Sequence, residues 1–92
     1  MEIKQAFGKA LQVCRKHKGL TQEDFSEVSS RTYLSTLERG LKSPTLEKID
    51  EIARVLEIHP LTLLVTAYSL SGGIQELDIL FERLKKEADL LK

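Results

Sequence analysis

Gly19-Leu20-Thr21-Gln22-Glu23-Asp24-Phe25, then Arg31-Thr32-Tyr33-Leu34-Ser35-Thr36-Leu37-Glu38-Arg39-Gly40, then Ser43-Pro44-Thr45-Leu46 is the stretch that decides how this chain folds. Each segment carries its own start and stop. Gly19 ends the preceding helix, and Thr21 can cap a new one with Asp24, three residues on, as a capping-box partner. Phe25 and Val28 supply the buried face of that short second helix, and Ser29-Ser30 interrupt it. A third helix is expected from about Arg31 to Arg39. Leu34 and Leu37 turn inward, Ser30 can cap its start, and Gly40 can take the left-handed conformation that closes a helix.

Upstream, Ile3, Phe7, Ala10, Leu11 and Cys14 recur with the 3.6-residue period of a half-buried first helix over 3–17. Downstream, Thr45 caps a fourth helix with Leu46, Ile49, Ile52, Ala53 and Leu56 facing inward. His59 serves as the cap, and Pro60 as the first turn, of a fifth helix containing Leu61, Leu64, Val65 and Tyr68. Gly72-Gly73 is the strongest interruption. Beyond it Ile74, Leu77, Phe81, Leu84, Ala88 and Leu91 are spaced 3, 4, 3, 4, 3, which is a heptad seam. No stretch alternates like a strand, so the chain reads as all-α, with a five-helix domain over 1–71 and an amphipathic helix over 72–92.

Ninety-two residues suffice for one small core. The single Cys14 excludes an internal disulfide, and no run of about 18 apolar residues or secretory leader appears. The expected setting is a reducing cytoplasm, with no membrane partner and Cys14 as a packed core thiol rather than a redox or metal group. Net charge is zero, which weighs against a nucleic-acid partner. Its distribution points the other way: residues 1–46 hold eight Lys/Arg against five acids, leaving the front half +3 and the remainder −3. A basic front can meet phosphate while an acidic rear meets solvent or a partner.

Short helices joined by a tight turn, with small polar side chains on the second, suit a DNA-reading unit. The three quoted segments, in that order, resemble the Xre or Cro/CI-type helix-turn-helix family of phage repressors and bacterial regulators over about residues 4–66. The resemblance implies a lambda-repressor-like five-helix domain that binds double-stranded DNA without a cofactor or metal. It places Gln22 against a phosphate, and Arg31, Thr32, Ser35 and Thr36 at base edges. Arg31 would give a bidentate contact to guanine, worth about 1–3 kcal/mol of discrimination. Ser30, Arg39 and Lys42 fall where the family grips the backbone. Arg15 and Glu38 match an ion pair that ties the first helix to the recognition helix, a structural role. Without the flanking motif, the residues from Arg31 to Thr36 would read as an ordinary solvated helix face.

Two departures from the family pattern bear on geometry. Between Glu27 and Arg31 the chain has about two residues fewer than usual and lacks the customary turn glycine, so Ser29 and Ser30 must rebuild the turn. Glu57 stands where a helix-ending glycine is usual.

The apolar stripe from Ile74 to Leu91 needs a cover. A second copy is the expected one, because a two-fold dimer doubles the contacts and sets recognition helices about 34 Å apart. The alternative is a helix folded back onto helices 1 and 5 of its own chain. Arg83, Lys85, Lys86, Glu82, Glu87 and Asp89 form its wet side. The expected function is thus a sequence-specific regulator, a repressor, bound as a homodimer to a symmetric operator. The rival is an antitoxin-like interaction module of the same fold that binds a protein such as a toxin. An enzyme is not expected, since His17 and His59 lack a neighbouring nucleophile, metal cluster or phosphate-binding glycine loop.

Overall fold

The computed structural model describes residues 1–74 and 76–92. Among them run α1 (Ile3–His17), a single 3-10 turn (Gln22–Phe25), α2 (Arg31–Glu38), α3 (Leu46–Leu56), α4 (Pro60–Leu70) and α5 (Leu77–Leu90). The second helix read from the sequence is therefore only one turn long. The chain turns at once after it, with Val28 and Ser29 both donating their backbone N–H to the carbonyl of Phe25 at 3.0 and 2.9 Å. Phe25 anchors this turn. Its side chain is fully buried, a contribution of about 1.5–3 kcal/mol.

The core joins Phe7, Ala10 and Leu11 of α1, Leu34 and Leu37 of α2, Ile49, Ile52 and Leu56 of α3, and Leu63 and Ala67 of α4 around Phe25. Packing of α1 on α4 is the most extensive helix contact. Cys14 lies against this core, and burial pushes its thiol above the ordinary value, with the Lys18 ammonium opposing. One inward assignment differs, and α4 buries residues that the sequence does not mark. Leu46 is 79% exposed at the start of α3, and α4 buries Leu63 and Ala67 rather than Leu61 or Tyr68. Because α4 is apolar nearly all round, its sequence offers no period from which to choose a face.

The expected caps form. Ser30 accepts from the Tyr33 N–H and Thr45 from the Lys48 N–H, both at 3.1 Å, and His59 Nδ1 accepts from the Leu61 N–H at 3.0 Å. At the end of α2, Gly40 has φ +73°, and Leu41 donates to the Thr36 carbonyl at 3.1 Å, which is the Schellman closure. The end of α3 closes in the same way without glycine. Glu57 sits at φ +56°, with Ile58 donating to the Ala53 carbonyl at 3.1 Å. An L-residue in this conformation is strained by roughly 1–2 kcal/mol, partly offset in glycine by its larger entropy loss on folding. Glu57→Gly is therefore expected to raise stability by about 0.5–1 kcal/mol, read as a higher urea midpoint at unchanged slope.

Candidate nucleic-acid interface

The recognition helix α2 is held by three braces, two from α1 and one from α3. From α1, Arg15 reaches Glu38 through two parallel bonds, Nε to Oε2 at 2.6 Å and Nη2 to Oε1 at 3.0 Å, and its Nη1 donates to the Leu20 carbonyl at 3.0 Å. The two side chains are only 12% and 4% exposed. Hydrogen bonding to Glu38 holds the Arg15 guanidinium protonated beyond the ordinary arginine value, against the effect of its burial. Gln22 joins this pair, donating from Nε2 to Glu38 Oε1 at 3.2 Å.

The second brace comes from α3, where the Lys48 ammonium donates to the Val28 carbonyl at the shortened turn. It also lies 5.9 Å from the centre of the Tyr33 ring and 3.2 Å from Glu51. The third is backbone contact. A Cβ on Gly8 of α1 would fall 2.3 Å from the Leu37 carbonyl oxygen and 2.7 Å from that of Glu38, so α1 and α2 approach as only glycine permits. Neither Lys48 nor Gly8 was singled out from sequence. A glycine inside a helical pattern signals close backbone approach, but a lysine reaching a turn carbonyl leaves no sequence signal.

Held this way, α2 turns Leu34 and Leu37 inward and presents its polar side outward. Gln22, Arg31, Thr32, Ser35 and Arg39 converge on one open depression of about 320 Å³. Arg31, Thr32 and Arg39 are exposed, and Ser35 is half-buried. The other expected residues lie around it. Ser30 is engaged as the cap of α2, half-buried Thr36 donates its hydroxyl to the Thr32 carbonyl at 2.8 Å, and Lys42 is exposed in the bend after α2. One acid intrudes: Glu23 Oε1 lies 3.7 Å from Arg31 Nη1, both side chains exposed.

The expected seam is placed differently along its length. Ile74 precedes α5 and lines an apolar groove of about 320 Å³ with Leu61, Leu64, Val65 and Tyr68 of α4 and Leu80 and Leu84 of α5. Leu77, Phe81 and Leu84 stay 47%, 52% and 46% exposed, and Ala88 and Leu91 are exposed as well. Among the described residues no group of His, Cys, Asp and Glu could hold a metal, and no helix is long and apolar enough to cross a membrane.

The helix-turn-helix family model matches residues 11–63, which include the 3-10 turn, α2 and α3. The chain is 37% identical over 65 residues to y4dJ, an uncharacterized HTH-type transcriptional regulator of Sinorhizobium fredii (strain NBRC 101917 / NGR234), covering 68% of this chain and 84% of that protein. Two crystal structures of the clp gene regulator ClgR from Corynebacterium glutamicum have the same fold. One matches with TM-score 0.69 at 30% identity over 82% of this chain and 96% of that one. The other matches with TM-score 0.71 at 28% identity over 98% and 94%. With its polar recognition surface, buried Arg15–Glu38 tie and matching motif, the chain belongs to the Xre or Cro/CI-type helix-turn-helix family of transcriptional regulators.

Proposed function

We propose that this regulator is a repressor that reads a two-fold symmetric operator as a homodimer in the cytoplasm. Residues 1–71 bind DNA and residues 72–92 carry dimerisation. The observation that carries this reading is the convergence of Gln22, Arg31, Thr32, Ser35 and Arg39 on one exposed surface of α2 and the adjoining turn. Arg31, Thr32 and Ser35 enter the major groove, with Thr36 at the edge of the set because its hydroxyl is already engaged. Gln22 keeps one amide N–H for a phosphate after bonding Glu38, and the Ser30 hydroxyl, while accepting as a cap, still has its proton to donate. Arg39 and Lys42 supply the remaining phosphate contacts.

The test is a gel shift against the DNA upstream of the protein's own coding sequence, with competitor DNA at stated salt. Sequence-specific retention is the expected result. Its absence down to about 50 mM salt, where phosphate contacts are strongest, would overturn the reading in favour of a protein-binding module. Arg31→Ala is expected to cost about 1–3 kcal/mol of discrimination at one base pair. Lys42→Ala should instead weaken specific and non-specific binding alike and lower the salt slope by about one unit. Equal losses from both substitutions on every sequence would remove Arg31 from the reading set.

A further inference from the structure

Three sides of α5 bear on what covers it. Leu80, its one half-buried side chain, and Leu84 line the groove toward α4, while the seam residues Leu77, Phe81 and Ala88 stand outside that lining and are exposed. Asp78 and Lys85, seven residues apart, share the flank opposite Leu80, and neither takes part in an ion pair among the described residues. A helix cannot bring two residues two turns apart together within itself, because pairs form at three or four residues.

We propose that the cover of this seam is the α5 of a second copy lying antiparallel, with Asp78 of each subunit paired to the partner's Lys85. This rests on the homodimer of the preceding subsection and specifies its contact surface. Two features of this chain select the antiparallel sense. The seam is complementary when reversed: Leu77 meets the partner's Ala88 and Phe81 meets the partner's Leu84, each contact repeated by the two-fold axis. In that register the Asp78–Lys85 pair forms twice on the flank away from α4, whereas a parallel coil sets no such pair. Phe81 of each subunit then lies over the partner's Leu84, which lines the groove against α4, so the ring helps close that groove. The isologous contact also gives the two α2 helices the relation that a symmetric operator requires.

Charge reversal tests the pairing. Both residues are exposed on α5, away from the core, so the variants keep the domain intact. In sedimentation equilibrium at low salt, Asp78→Lys and Lys85→Asp should each weaken self-association roughly tenfold, since two favourable pairs become two repulsive ones. Mixing the two singly substituted proteins should restore association as a heterodimer, and one chain carrying both changes should self-associate like the original. The heterodimer mixture is the decisive arm. Dimers whose affinity ignores both reversals, or singly substituted proteins that stay apart on mixing, would overturn the antiparallel pairing while leaving the homodimer in place. A native protein that is monomeric even on its DNA would overturn the homodimer itself. Specific retention in the gel shift, measured separately, tells either result from a failure of DNA recognition.

Discussion

Glu38→Ala is expected to cost about 3–5 kcal/mol of folding stability, the range for removing one partner of a buried ion pair. The carboxylate is the hub of the motif. It accepts from Arg15 Nε and Nη2 and from Gln22 Nε2 and is only 4% exposed, so its removal leaves a 12% exposed guanidinium with the Leu20 carbonyl as its remaining partner. Much of the loss reflects that stranded charge rather than the net worth of the pair, so Arg15→Met combined with Glu38→Leu should be far less damaging than either single change. Urea unfolding of Glu38→Ala, of each single change and of the double variant reads this directly. A loss below about 1 kcal/mol from Glu38→Ala would place the pair among solvated surface bridges and remove the main tie between α1 and α2.

Gly8→Ala should act in the opposite sense to the same change in a free helix, where alanine gains roughly 0.5–1 kcal/mol over glycine. Here the new methyl would stand 2.3 Å from one carbonyl oxygen of α2, 2.7 Å from the next and 3.0 Å from the Glu38 carbonyl carbon. All three are backbone atoms at the end of the recognition helix, so no side chain can swing aside. Forcing the two helices apart is expected to cost at least about 1–3 kcal/mol and to displace α2 relative to the rest of the domain. The urea midpoint should fall, and specific DNA binding should fall further than the remaining folded fraction accounts for. A Gly8→Ala protein as stable as the original would show that α1 and α2 do not approach this closely in solution.

What the sequence disclosed was set by how local each cause is. The caps at Ser30, Thr45 and His59 and the glycine closure at Gly40 depend on neighbours within a few residues, and all four were readable and are present. The inward residues of α3 beyond Leu46 were also readable, because its polar and apolar faces are cleanly separated. The face of α4 was not, since nearly every side of it is apolar and two surfaces compete for it. The second helix is one 3-10 turn, and its support lies in Lys48, twenty residues from the Val28 carbonyl that it reaches, too distant for a local pattern to disclose. For the interface, the motif gave the polar set around α2, and the structure added its division of labour. Gln22 shares the buried pair, Thr36 is tied to its own helix, and Glu23 stands beside Arg31.

The reduction of the motif's first helix to one turn has a consequence for how such a protein can change over generations. The pose of α2 rests on fastenings at its margins, the Arg15–Glu38 hub and the Lys48 strut, whereas on the function proposed above the letters it reads rest on Arg31, Thr32 and Ser35. On that reading, tilt and alphabet are carried by different residues. A lineage can re-aim the helix by altering a fastener while keeping its vocabulary, or exchange the vocabulary without disturbing the mount.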